Sequence, residues 1–379
     1  MATIDFKHTP FGELGIISMR GCEDISKKVD SYLCQWRETP EAGTFMVPAE
    51  CPRFSSGEAK GVIKHTARGL DIYIICDVFN HGVTYKMYNQ VVPMSPDDHY
   101  QDLKRIIAAL GGKARRITVI MPMLYEGRQH RRTARESLDS ALALQELVSM
   151  GVSNILTFDA HDPRVQNAIP LHGFDNVQAA YQMIKALIKA EPDIELDRDH
   201  LMFISPDEGG MNRCIYYSSV LGVEMGMFYK RRNYSVVVNG RNPIEAHEFL
   251  GNDVSGKDVI IVDDMIASGE SMLDIAAMLK EKKARRIFAF ATFGLFVDGL
   301  ARFDEFYQKG MIEQVFTTNL VYGDEELLSR EWYTRVDMSK YVAYLIDTLN
   351  YDNSISELLN PVERIKNAVA RHNKALGKA

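Results

Sequence analysis

Two adjacent carboxylates, Asp263 and Asp264, close an apolar run, and the small residues Ala267, Ser268 and Gly269 follow them. In VIIVDDMIASGESML (259–273) the run predicts a buried strand, the small residues a tight turn, and the rest a helix. Small side chains let backbone N–H groups approach a phosphate, Ser268 and Ser271 add hydroxyls, and the helix N-terminus favours the anion. The carboxylate pair suits ribose hydroxyls, directly or through a metal. The same spacing also fits a capped strand–helix turn with acids at the helix start.

Other polar clusters have the same two-sided character. RQHRR (128–132) is rich enough in arginine to hold phosphates, and equally suits a solvated face. In DAHDPR (159–164), His161 stands between Asp159 and Asp162, as a metal-linked histidine or a hydrogen-bonded structural one. In SPDEGG (205–210), Asp207 is a helix N-cap or a ligand, and the paired glycines permit close backbone approach. Lys230-Arg231-Arg232 is a solvated basic turn or a set of cations for a transferring anion.

The elements that must position these residues are legible as apolar runs. Strands are predicted at Asp71–Cys76, Arg116–Met121, Asn154–Asp159, Leu201–Ser205, Met225–Lys230, Asp258–Val262, Arg285–Thr292 and Gln314–Thr317. Helices are predicted at Met211–Leu221 and Gly269–Glu281, with a third opened by a Thr133–Glu136 capping box and closed at Gly151. Such alternation implies α/β architecture with mainly parallel sheets flanked by helices. The polar clusters follow directly on strand ends, where ligands bind in open α/β sheets. The grain of the chain predicts two domains, 1–170 and 171–344, with a C-terminal helix (345–379) returning to the first.

The 379 residues suffice for two domains with real cores, and 46% hydrophobic with 25% charged residues excludes a disordered or fibrous chain. A net charge of −7 without a basic block argues against nucleic acid as partner. The longest apolar stretches, such as Phe288–Val297, are too short to span a bilayer, so no membrane is expected. The first residues, MATIDFKHTPFGELG, lack the apolar core of a secretory signal. Five widely spaced cysteines form no C-x-x-C pair, and a cytoplasmic location is expected.

The 259–273 segment resembles the phosphoribosyl-pyrophosphate motif of the phosphoribosyltransferase fold. PRFSSGE (52–58), VIMPMLYEGRQHRR (119–132), ILTFDAHDPRVQ (155–166), FISPDEGGMNR (203–213) and MFYKRR (227–232) then follow the order seen in ribose-phosphate pyrophosphokinases. VFTTNLV (315–321) and SISELL (354–359) resemble that family's C-terminal signals. The resemblance implies two tandem phosphoribosyltransferase-like domains, the first on the ATP side and the second on the ribose 5-phosphate side. The implied reaction moves the diphosphoryl group of ATP to the C1 hydroxyl of ribose 5-phosphate, giving phosphoribosyl pyrophosphate and AMP.

Position by position, the resemblance makes Lys230 and Arg232 catalytic, and Arg128, Gln129, Phe54, Ser56, Gly57 and Glu58 ATP contacts. The 56–58 hairpin would reach a neighbouring subunit's nucleotide, so a homo-oligomer with a shared site is implied. Asp263, Asp264 and Ala267, Ser268, Gly269, Glu270 and Ser271 match the ribose 5-phosphate site; His161 and Asp207 match the positions linked to magnesium (Mg2+). The chain departs from the pattern in its phosphate loop, where Glu270 must point away from any bound phosphate, and at His130, where an acid is usual. It also carries extra residues near 80–100 and a tail past Pro361. The alternatives are a non-catalytic regulatory homologue and a phosphoribosyltransferase.

Overall fold

A parallel sheet built from nearly all-apolar strands must be covered on both faces, and the chain does this twice. In a computed structural model, residues 9–38, 43–232 and 244–378 are described, without the side chains of 230–232 and 244–247. The chain divides into two compact units: unit 1 holds 1–179, 319–322 and 337–360, and unit 2 holds 180–318, 323–336 and 361–379.

Unit 1 begins with β1 (Glu13–Ser18), α1 (Glu23–Trp36), β2 (Ala49–Glu50), β3 (Val62–Ile63), β4 (Leu70–Ile75), β5 (Thr84–Met87) and β6 (Gln90–Pro93). It continues through α2 (Pro96–Leu110), β7 (Arg116–Ile120), α3 (Asp139–Ser149), β8 (Asn154–Phe158) and β9 (Gly173–Val177). The five-stranded sheet β1-β4-β7-β8-β9 is parallel throughout. Its fully buried Ile72, Ile74, Val119 and Ile155 pack against Leu103, Ile106 and Ile107 of α2 and Leu144 and Leu147 of α3. A complete capping box starts α2: the Ser95 hydroxyl accepts from the Asp98 N–H, and the Asp98 carboxylate accepts from the Ser95 N–H.

Unit 2 comprises α4 (Ala180–Ala190), β10 (Leu201–Ser205), α5 (Met211–Leu221), β11 (Glu224–Arg232), β12 (Ile244–Leu250), β13 (Asp258–Ile266), α6 (Glu270–Glu281) and β14 (Ile287–Gly294). Next come α7 (Ala301–Gln308), β15 (Gln314–Thr318), α8 (Glu325–Leu328) and β16 (Tyr333–Val336). Its sheet runs β12-β11-β10-β13-β14-β15-β16, parallel except for the β11–β12 pair. At the start of β13, Asp258 is wholly buried, and Arg285 and Arg286 each reach its carboxylate, at 2.6 and 2.7 Å.

The last three helices are α9 (Ser339–Asn350), α10 (Ser356–Leu359) and α11 (Val362–Ala375). The single helix expected over 345–379 on the first domain is broken in the structure and divided between the units. In unit 1, Asn350 Nδ2 donates to the buried Asp71 carboxylate at 2.8 Å, Arg37 bonds Asp347, and Trp36 stacks on Tyr344. In unit 2, Pro361 restarts the chain as α11, where His372 Nε2 donates to the Ile194 carbonyl at 2.7 Å. Unit 1 also takes one strand more than the expected boundary at 170 allows, because β9 pairs with β8.

Thr133 and Glu136 do touch, yet no helix starts there; α3 begins six residues after Thr133, at Asp139. Gln129 is the physical reason. Its side chain donates to the Ser137 carbonyl at 2.9 Å and its own carbonyl accepts from the Ser140 N–H, which holds the segment in a loop. Among the described residues no helix is long and apolar enough to cross a membrane.

Asp77 follows β4 and is 6% exposed, with its carboxylate accepting the backbone N–H groups of Phe79 and Tyr322. Burial outweighs those bonds and raises its pKa from 3.8 to about 6. A raised carboxylate binds protons more tightly when folded, so its contribution is full below the unfolded value and is lost as pH climbs through about 6. In urea unfolding across a pH series, Asp77→Asn is expected to gain on wild type by roughly 2–2.5 kcal/mol between pH 4 and 7. Parallel curves would remove this assignment.

Candidate functional site

The carboxyl ends of β10, β11 and β13, three adjacent strands of unit 2, gather most of the predicted sugar-phosphate residues. Asp263, half-buried, and Asp264, buried, follow the apolar start of β13, where the Asp263 carboxylate accepts the Asp264 N–H and the Asp264 carboxylate the Met265 N–H, each at 2.9 Å. Burial, then the charge of Asp264, pushes the Asp263 carboxyl well above the usual carboxylate range. Arg213 of α5 sets its guanidinium 3.5 Å from the Asp264 carboxylate. Only folding brings Arg213 there; the sequence signal was its place in GGMNR, three residues past the paired glycines.

The turn after β13 keeps its backbone through α6. Ala267 accepts the Val297 N–H at 2.9 Å, Ser268 Oγ accepts the Glu270 N–H, and Gly269 at φ +80° is the N-cap. Glu270 is exposed, and its carboxylate lies 3.8 Å from Arg302, which also holds Asp274 at 3.0 Å. Arg302 is therefore the counter-charge for the acid that breaks the usual loop pattern. Ser271 is exposed on the first turn.

Asp207 follows β10, with Oδ1 accepting the N–H groups of Gly209 and Gly210. That is the N-cap-like geometry, made at the strand end where a ligand would sit. A Cβ on Gly210 would come within 2.8 Å of Ser205 Oγ and 3.2 Å of the Val262 carbonyl, so the glycine lets α5 start tight against β13. Lys230 and Arg232 lie on the β11 backbone, opposite His247 and Ile244, beyond the last β10 partnership at Ser205 and Met227. Their side chains lie outside the described part of the molecule, as do all residues from 233 to 243.

In unit 1 the ends of β7 and β8 bring a second set together. Left-handed residues, Glu126 at φ +54° and Asp159 at φ +40°, turn both loops. Arg128 is exposed and Gln129 half-buried at the base of its loop. His161 is exposed beyond Asp159, with its ring centroid 5.4 Å from that of His130. His130 Nε2 lies 3.5 Å from Asp162, whose carboxyl is held down to about 2, chiefly by hydrogen bonds from Arg164. The departure at His130 thus places an imidazole, not an acid, beside His161. Phe54, Ser56, Gly57 and Glu58 form a short turn: the Phe54 N–H donates to the Glu58 carbonyl and the Ser56 hydroxyl to its carboxylate.

The carboxylate of Asp207 in unit 2 is the oxygen donor that a hard divalent cation prefers, and His161 in unit 1 offers an imidazole nitrogen. Such ions commonly take few protein ligands and complete their shell with water and phosphate oxygens. A group of Glu195, Asp197 and His200 also meets the spacing of a metal cluster, but Lys378 already pairs with Glu195 and Asp197.

Sheet order, helices on both faces and polar clusters at the carboxyl strand ends define a phosphoribosyltransferase-like α/β protein with two tandem units. A phosphoribosylpyrophosphate synthetase from Mycobacterium smegmatis shares the fold, with a TM-score of 0.73 at 19% identity over 90% of this chain and 100% of its own. Residues 14–151 match the model of the N-terminal domain of ribose phosphate pyrophosphokinase, and 237–360 that of the phosphoribosyl synthetase-associated domain. Curated relatives named ribose-phosphate pyrophosphokinase include one from Vibrio cholerae, 28% identical over 82% of this chain and 91% of its own length. Another, from Chlorobaculum tepidum, is 28% identical over 90% of this chain and 97% of its own. The chain belongs to the ribose-phosphate pyrophosphokinase family.

Proposed function

We propose that this protein is a ribose-phosphate diphosphokinase, converting ATP and ribose 5-phosphate into phosphoribosyl pyrophosphate and AMP. The observation that carries the reading is the convergence at adjacent strand ends of unit 2: Asp263 and Asp264, the 267–271 turn, Asp207 and the backbone of Lys230. In this reading the turn and the N-terminus of α6 hold the 5-phosphate, and Asp263 and Asp264 orient the ribose hydroxyls. In unit 1, Arg128 and Gln129 hold the triphosphate side of ATP, and Phe54, Ser56, Gly57 and Glu58 contact the nucleotide of a neighbouring copy, making a homo-oligomer part of the site.

The C1 hydroxyl oxygen forms its bond to the β-phosphorus as the bond from that phosphorus to the α–β bridging oxygen breaks, AMP leaves with the electron pair, and the hydroxyl proton passes to solvent. Alignment and charge neutralisation carry most of such a transfer. Lys230 and Arg232 supply donors where charge develops, one as a mobile point charge and the other as a planar fork. His161 and Asp207 would hold magnesium, which when bound offsets phosphate charge. The five free cysteines accord with a reducing compartment, and the cytoplasm is the proposed location.

The test is AMP and phosphoribosyl pyrophosphate measured together from ATP, ribose 5-phosphate and magnesium. Equal amounts of both are expected. ADP in place of AMP, or no turnover while ribose 5-phosphate binds, would overturn the reading, and the second outcome would favour a regulatory homologue.

A further inference from the structure

The hairpin β5–β6 lies in the 80–100 segment, to which the family motifs give no role. Tyr88 and Asn89 close it with left-handed backbones, φ 48° and 62°, the conformation of a two-residue hairpin turn that suits the strand twist. It touches the 53–58 loop at three points. The Tyr88 N–H donates to the Ser55 carbonyl at 3.0 Å. Met87 packs its sulfur so closely on Gly57 (φ +96°) that a Cβ there would approach it to 2.7 Å. The Arg53 guanidinium lies 4.7 Å above the Tyr85 ring.

Both sides of this contact are tied to α2. Arg53 bonds the Asp102 carboxylate at 2.8 Å, the two side chains being 8% and 5% exposed. The Tyr85 hydroxyl donates to Asp98, the residue that completes the capping box of α2. Within the loop the bonds are short-range, among them the Arg53 guanidinium to the Gly57 carbonyl at 3.4 Å and the Ser56 hydroxyl to the Glu58 carboxylate at 2.9 Å. Its turn is closed by the Phe54–Glu58 and Gly57–Phe54 backbone bonds, and Phe54 remains 54% exposed. Fixing a residue costs backbone entropy, so a loop left to order on binding loses affinity.

We infer that the β5–β6 hairpin pre-orders the 53–58 loop for nucleotide, with Tyr85 and Met87 as positioning residues for ATP affinity. The inference rests on the reading of Phe54 to Glu58 as ATP contacts. Tyr85 acts through Arg53 and Met87 through Gly57, so their loss leaves the sugar-phosphate side in unit 2 untouched.

The test is calorimetric titration of the full-length protein with ATP and, separately, with ribose 5-phosphate. Phe54→Ala is expected to weaken ATP about tenfold, as lost base stacking would. Tyr85→Ala is expected to weaken it about two- to fivefold and Tyr85→Ala with Met87→Ala about tenfold, with ribose 5-phosphate affinity unchanged. Tyr85→Phe keeps the ring under Arg53 and is expected to stay within about twofold of wild type. A loss in Phe54→Ala alone would overturn the positioning role and keep the loop reading. Phe54→Ala matching wild type would overturn the loop reading and the inference with it. Equal losses for both ligands would make the hairpin merely structural and overturn the inference.

Discussion

Lys230→Ala is expected to cut AMP formation from ATP and ribose 5-phosphate by about 10²–10³-fold while ribose 5-phosphate still binds. The position supports so large an effect. β10 ends at Ser205, paired with Met227, but β11 runs on with β12, and Lys230 sits roughly 10 Å past that last pairing at about 3.3 Å per residue. In the proposed reaction, a lysine at this backbone position would meet charge that develops during transfer. It need not hold the bound sugar. The effect should therefore fall on kcat, with thermal stability unchanged. Lys230→Arg keeps the charge but exchanges a mobile ammonium for a planar fork, and only partial recovery is expected. Activity of Lys230→Ala within tenfold of wild type would remove Lys230 from the chemistry.

Gly269→Ala should be the most damaging glycine-to-alanine change among the described residues of unit 2. The residue holds φ +80°, where an L side chain costs about 1–2 kcal/mol. A Cβ would also lie 2.4 Å from the ring of Phe303, which is fully buried and stacked on Trp332. Overpacking of that kind costs about 1–3 kcal/mol more, for a total of roughly 2–5 kcal/mol in urea unfolding. Because Gly269 caps α6, its displacement should also raise the KM for ribose 5-phosphate while leaving that for ATP unchanged. Phe303→Leu makes room, so the double variant should lose less than the sum of the two single losses. Strict additivity would show that the ring is not what excludes the methyl.

These two predictions stand in different relation to the sequence. The turn containing Gly269 is local, and its small residues after an apolar run reveal the strand, the turn and the helix together. The eight expected strands all form, because each is an apolar run long enough to be buried in a parallel sheet. The strands beyond these eight are edge or hairpin strands. β9 (GFDNV) is half polar, and β5–β6 turns at Tyr88-Asn89 without the Asn-Gly signal of such turns. The capping box at Thr133 shows the converse error. A local pattern was present, but Gln129 bonds across the loop overrode it.

The sequence by itself determined the α/β alternation, the clusters at strand ends and the family, since all three are written in short contiguous segments. Tertiary structure alone decided which distant side chains meet them: Arg213 at Asp264, Arg302 at Glu270, His130 beside His161, and Tyr85 beneath Arg53. It also decided that α9 packs with unit 1 and α11 with unit 2. The reason is one of range. Backbone preference and periodicity act over a few residues, whereas a charge or ring finds its partner only after the sheets have stacked elements far apart in the chain.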